Sequence, residues 1–162
     1  VVLARAACAA GKFVSWYPSY GPEQRGGTAN CAVVVSGQPI GSPVVYEADV
    51  LVAMNRPSLE KFLRELKPGG LLLYNANIGD FPVPAGVRAR AVPAQDLAAE
   101  GGSPRAANLA MLGVLSVLGG LGLADGFYAG AIAANFAAKG AGGDGNQAVF
   151  ALGQRWGLAN RV

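Results

Sequence analysis

The stretch DVLVAMNRPSLEKFLRELKPGGLLLYN, residues 49–75, decides the topology. Its first six residues, Asp49 to Met54, are a nearly all-apolar run of the kind found in strands covered on both faces. After Asn55, Arg56 and Pro57, the segment SLEKFLREL sets Leu59, Phe62, Leu63 and Leu66 at i, i+3, i+4 and i+7. That is the spacing of one apolar helix face, with Ser58 as its N-cap. KPGG ends the helix and LLLYN returns as a second buried strand. Strand, helix and strand within about 25 residues is the pattern of a right-handed βαβ crossover, so an α/β sheet is expected.

Working outward, VVLARAACAAG at residues 1–11 reads as a helix already in progress and stopped at Gly11, where a left-handed turn is cheap for glycine. KFVSWYP follows as a strand ended by Pro18, then a loop, then TANCAVVV as a buried strand from Thr28 to Val35. Val44 to Tyr46 reads as a short extended piece. Beyond the central unit, VRARAV (Val87 to Val92) alternates apolar and basic residues, which predicts a strand with one wet face near a sheet edge. The remainder reads as helical: Ala94 to Ala99, Ser103-Pro104 to Leu118, Asp125 to Lys139 and Asn146 to Leu158.

Composition narrows the chemistry. Of 162 residues, 52% are apolar and 14% charged, with a net charge of +3 from 13 basic and 10 acidic side chains scattered along the chain. A scattered charge predicts no nucleic-acid face, which needs clustered cations interleaved with stacking aromatics. Histidine is absent, which removes His-based nucleophile pairs, His general bases and His metal ligands. Two cysteines, Cys8 and Cys31, are too few for a four-thiolate cluster, so any electron-carrying centre must sit on another chain. The longest uncharged stretch, Ala106 to Ala124, approaches the roughly 20 residues of a bilayer span. Gly119, Gly120 and Gly122 interrupt it, so a buried helix and no membrane partner are expected. One domain over residues 1–162 is expected.

The stretch with the most chemistry is SYGPEQRGGTAN, residues 19–30. Gly21, Gly26 and Gly27 let a ligand approach the main chain, and the Arg25 guanidinium is a fork suited to phosphate or carboxylate. The alternative for the same residues is a tight connection between strands, with Arg25 paired to Glu23 or to another subunit. Asn55 and Arg56 follow a strand end, where α/β sheets tend to bind ligands, although a plain turn explains them too. Asn75 and Asn77 close the next strand and could face the same crevice. Asn108 reads as a satisfied buried amide or a contact to a partner, and Cys31 as a small buried hydrophobe; Trp16 and Tyr17 read as core or interface anchors.

These residues also resemble a known family. PSYGPEQRGGTANC at Pro18 to Cys31, IGSPVV at Ile40 to Val45 and DVLVAMNRPSLEKF at Asp49 to Phe62 are similar to the signature region of the gamma subunit, or fused gamma domain, of 2-oxoacid:ferredoxin (acceptor) oxidoreductases. The later helices, from Pro93 to Gly113, resemble the same family. The resemblance implies a three-layer α/β sandwich with a mixed, mainly parallel sheet and a helical C-terminal portion. It implies a chain that binds no cofactor alone and works with alpha, beta and ferredoxin-like delta subunits, which bring thiamine diphosphate, magnesium and [4Fe-4S] clusters. The assembled complex converts a 2-oxoacid to acyl-coenzyme A and passes electrons to ferredoxin or another acceptor, in a cytoplasmic and largely anaerobic setting. The motif wording leans toward 2-oxoglutarate and branched-chain members. Gly21, Arg25, Gly26, Gly27, Thr28 and Asn55 are the cofactor-facing candidates, with no catalytic and no metal-binding residue. Family members usually carry a strand and a glycine-rich turn before the first helix, and the chain is expected to lack both. The rival expectations are an autonomous nucleotide- or phosphate-binding α/β domain and, more remotely, a membrane-attached helical protein.

Overall fold

Three consecutive leucines, Leu71, Leu72 and Leu73, sit at the centre of the molecule, each 1% exposed or less. The structure is a computed structural model that describes residues 1–20, 29–137 and 143–161. In it the strands β3 (Ala48–Ala53), β4 (Leu66–Asn75) and β5 (Arg88–Val92) form a parallel sheet in that order. Val50 stands opposite Leu71 and Ala53 opposite Tyr74, while Leu71 faces Arg88 and Asn75 faces Val92 on the other side. Alternation along β4 then divides the core. Leu71 and Leu73 enter a large cluster with the helices α1 (Val2–Ala9), α3 (Ala94–Glu100), α4 (Ala107–Leu118), α5 (Asp125–Ala137) and α6 (Gly143–Ala159). Leu72 enters a smaller cluster with Leu59 of α2 (Arg56–Phe62). The expected three layers are therefore present, with α2 on one face of the sheet and the C-terminal helices on the other.

The βαβ unit forms where the sequence places it, with two local differences. Asn55, not Ser58, caps α2: its backbone is extended (φ −147°, ψ 160°) and its Oδ1 accepts the Ser58 N–H at 2.9 Å. Pro57 in the first turn loses nothing, because its missing N–H would have had no helical partner. KPGG does not simply stop the helix. A 3-10 turn at Leu63–Glu65 leads straight into β4, whose start contains all four residues. The pairing jumps from Ala48 opposite Leu66 to Val50 opposite Leu71, a bulge accommodated by Gly69 at φ 74° and pinned by Lys67 Nζ to Asp49 Oδ1 at 2.7 Å.

The hairpin of β1 (Phe13–Tyr20) and β2 (Ala29–Ser36) is a separate antiparallel pair, running from Phe13 opposite Ser36 to Tyr20 opposite Ala29. Pro18 lies within β1 rather than ending it, which an edge strand tolerates. Residues 44–46 form no strand. The hairpin has no layer over much of its surface. Trp16 and Tyr17 are accordingly 44% and 50% exposed, and Cys31 is exposed rather than buried. β3 is likewise less covered than its apolar sequence predicts, with Val52 exposed, because one of its edges pairs with no described strand.

In the helical layer Gly11 ends α1 at φ 73°, as expected. α4 starts at Ala107 instead of Ser103, whose hydroxyl donates to Asn146 Oδ1 at 3.2 Å and so ties the chain before α4 to α6. Asn108 is exposed, not a buried amide. The expected end of α5 at Lys139 falls outside the described residues, and α6 starts at Gly143, three residues earlier than the sequence suggests. β5 is an edge strand, but Arg90 does not point into water. Its Nε and Nη2 donate to the carbonyls of Asn160 and Arg161 at 2.8 and 2.7 Å, in the segment that immediately follows α6. No helix among the described residues is long and apolar enough to cross a membrane.

Candidate functional site

The two sheets do not touch edge to edge. Between β2 and β3 opens a cleft of about 1000 Å³, lined along both strands and floored by Leu3 of α1, Leu115 of α4 and Leu121. It exists because the unpaired edges of both strands turn toward the same space while the helices behind them close the bottom. A smaller recess of about 300 Å³ adjoins the hairpin, walled by Tyr17, Ser19, Asn30, Tyr46 and Glu65.

The residues singled out from the sequence divide into three groups. Gly21, Arg25, Gly26, Gly27 and Thr28 lie outside the described residues. Their flanks are described: Ser19 and Asn30, opposite one another in the hairpin, face the smaller recess, and Asn30 also lines the cleft. Asn55 lines the cleft too, so the structure brings it and the base of the glycine loop to one cavity. Its side-chain oxygen is already engaged in capping α2. The remaining polar candidates serve as local fastenings. Asn75 is 2% exposed and bridges the ends of the two strands, donating from Nδ2 to the Met54 carbonyl and accepting from the Asn77 N–H, both at 3.3 Å. Arg56 Nη2 donates to the carbonyls of Ile78 and Asp80 at 3.2 and 2.7 Å, and its charge lies 3.5 Å from the Glu60 carboxylate.

Among the described residues, the Lys, Arg, Asp and Glu side chains lining the cleft are Lys12, Glu47, Asp49 and Glu65. Lys67 sits beside them through Asp49, and the hydrogen bond and charge of that carboxylate raise its pKa above the usual lysine value. One lysine against three carboxylates is a poor cradle for a polyanion, so phosphate recognition here needs a cation beyond the described lining. No cluster of three or more Cys, Asp or Glu ligands occurs among the described residues. Cys8 and Cys31 lie on different elements, and two thiols cannot furnish the four that a [4Fe-4S] cluster takes. Sequence reasoning missed the cleft itself. The apolar run Asp49 to Met54 pointed to full coverage and gave no sign that one edge stays open.

Residues 1–156 match the family described as pyruvate ferredoxin/flavodoxin oxidoreductase. The ketoisovalerate oxidoreductase subunit VorA of Methanothermobacter marburgensis is 46% identical over 160 residues, which covers 99% of this chain and 34% of VorA. The chain thus spans about a third of the length of that curated relative. Among solved structures, the 2-oxoglutarate:ferredoxin oxidoreductase of Magnetococcus marinus, with 2-oxoglutarate, coenzyme A and succinyl-CoA bound, superposes with a TM-score of 0.85 at 27% identity, covering 98% of this chain and 28% of that one. The gamma subunit of a keto/oxoacid ferredoxin oxidoreductase from Geobacter sulfurreducens superposes with a TM-score of 0.81 at 26% identity, covering 98% of this chain and 89% of that one. The match therefore runs through every element from α1 to α6, and the chain belongs to the pyruvate ferredoxin/flavodoxin oxidoreductase family.

Proposed function

We propose that this chain is the gamma domain of a thiamine diphosphate-dependent 2-oxoacid:ferredoxin oxidoreductase, which decarboxylates a 2-oxoacid oxidatively and delivers the acyl group to coenzyme A. The observation that carries this reading is the 46% identity with VorA across 99% of the chain. The domain contributes shape and polar contacts to the coenzyme A channel and does no chemistry alone. Thiamine diphosphate, magnesium and the iron-sulfur clusters belong to alpha, beta and delta partners, with ferredoxin or another carrier as the acceptor and the cytoplasm as the compartment. VorA's name favours a branched-chain oxoacid as the substrate. In this reading Gly21, Gly26 and Gly27 bring backbone close to the ligand, Thr28 and Asn55 add polar contacts, and Arg25 supplies a cation in addition to Lys12 of the described lining.

The test is reconstitution. Purified alone, the chain is expected to give no oxoacid-dependent reduction of a viologen dye, and coexpression with the thiamine-bearing and cluster-bearing subunits restores it, fastest with 2-ketoisovalerate. Arg25→Ala in the complex should raise the Michaelis constant for coenzyme A or the oxoacid roughly ten- to a hundred-fold, the loss of about 1.5–3 kcal/mol of charged hydrogen bonding, with assembly intact. Turnover by the isolated chain, or an Arg25→Ala complex with unchanged constants, refutes the corresponding part of the proposal.

A further inference from the structure

Two tyrosines and one carboxylate wall the smaller recess, and among the described residues no cation does. One wall is a single face of the hairpin, where Tyr17 and Ser19 alternate along β1 and stand opposite Ala32 and Asn30 of β2. Tyr46 and Glu65, from the loop before β3 and the corner between α2 and β4, close the other sides. Tyr46 is 82% exposed and Tyr17 half exposed, and neither ring contacts another ring among the described residues. The Glu65 carboxylate has no ion pair or hydrogen bond among them either. An aromatic face attracts a cation, and a carboxylate beside it strengthens the same preference. We propose that this recess receives an arginine side chain presented by a partner protein, its guanidinium lying against Tyr17 and Tyr46 and paired with Glu65.

Charge fixes the sign of the occupant. Glu65 is the one Lys, Arg, Asp or Glu side chain in the described lining of the recess, and Glu47 stands in the adjoining cleft. Asp49 is already paired with Lys67, so its charge is spent locally. An anion placed here meets repulsion, whereas a guanidinium stacks its plane on a ring while its fork reaches the carboxylate, which a round ammonium cannot do at once. The Asn30 amide oxygen and the Ser19 hydroxyl are acceptors for its remaining N–H groups. Size agrees: about 300 Å³ is the lower end of the range for ligand sites and suits one side chain rather than an extended cofactor. The surroundings fix the source. Neither β1 nor β2 contains a charged residue, and the recess is rimmed by exposed Val44, with Phe13 exposed farther along β1. Apolar side chains around aromatic anchors are the composition of a protein interface core, where arginine is enriched. This inference does not rest on the oxoacid reading.

The probes are N-acetylarginine amide, its neutral isostere N-acetylcitrulline amide, and the capped tripeptide valyl-arginyl-valine. Each is titrated into the 162-residue chain while the amides of Ser19, Asn30 and Ala32 and the tyrosine ring protons are followed by NMR. The arginine amide is expected to give saturable shifts confined to the recess and to bind about tenfold more tightly than the citrulline amide. The tripeptide, which adds apolar neighbours, should bind at least about threefold more tightly again. Tyr46→Ala and Glu65→Gln should each weaken the arginine amide about threefold or more. Tyr46 belongs to neither core cluster, so its loss leaves the fold intact. Equal affinity for the two amides, or no effect of Tyr46→Ala, overturns the proposal. Adenosine binding more tightly than the arginine amide also overturns it, since the recess is then a base-stacking site. A tripeptide no tighter than free ethylguanidinium makes the occupant a small molecule and overturns the assignment to a partner protein.

Discussion

Gly113 of α4 and Gly153 of α6 meet backbone to backbone: a Cβ on Gly113 would strike the Phe150 carbonyl oxygen, and one on Gly153 would strike the Ala110 carbonyl oxygen. The two helices are thus closer than side chains allow, and this contact anchors the layer that covers the sheet. Gly153→Ala is expected to destabilise the chain by about 2–3 kcal/mol, lowering Tm by roughly 4–12 °C, because backbone cannot rotate away as a side chain can. Gly130→Ala on α5, where a Cβ meets nothing within 4 Å, should instead stabilise by about 0.5–1 kcal/mol. Thermal melts that rank the two the other way would show that the helices do not touch at Gly153.

Tyr128 is fully buried beside Phe150, with ring centroids 5.3 Å apart, and its hydroxyl has no hydrogen-bond partner among the described residues. Burial, helped by the Asp125 charge, pushes its pKa up to about 12 from 10.0. Both folded and unfolded chains hold the proton below pH 10; above it the unfolded chain releases the proton first. Stability should therefore fall between about pH 10 and 12, by on the order of 1–3 kcal/mol. Tyr128→Phe should remove this alkaline loss and at neutral pH raise stability or leave it unchanged. Denaturant midpoints measured at pH 8 and pH 11 decide it: equal losses in both proteins would exclude Tyr128 as the source.

Arg90 caps α6 through two carbonyls, a geometry a planar fork meets and an ammonium does not. Arg90→Met is expected to cost about 1.5–3 kcal/mol and to speed exchange of the last turn of α6, with Arg90→Lys recovering less than half of the loss. Full recovery by lysine would mean that charge alone, through the helix dipole, holds that end.

Asn55 and Ser58 compete in the sequence for the role of N-cap, and the structure assigns it to Asn55. Asn55→Ala should lower stability by about 0.5–2 kcal/mol, whereas Ser58→Ala, whose contribution to the cap is its backbone N–H, should stay within about 0.5 kcal/mol of wild type. If Asn55 also touches ligand in the complex, Asn55→Asp keeps the cap and shifts the Michaelis constant for coenzyme A; a shift in stability without one confines Asn55 to the cap.

The βαβ unit at residues 49–75 was legible because its signals are local: the apolar spacing of Leu59, Leu63 and Leu66 brings all three to the smaller cluster even though the α-helix ends at Phe62, which lines the cleft instead, and an all-apolar LLL run has few fates but a buried strand. The same holds for the glycine stop of α1 and for the family signature, which is a matter of residue order. Whether a strand is covered is not local. Trp16, Cys31 and Val52 look like core residues by type, yet they are exposed because the helical layer covers only part of the hairpin, around Val14 and Val35, and no described strand pairs along the open edge of β3. Caps behave likewise: Ser103 precedes a helix as a cap should, but a distant Asn146 takes its hydroxyl. Local periodicity and turn chemistry were enough to name the elements. Only the tertiary structure decided which edges stayed open, because pairing and burial depend on partners far away in the chain.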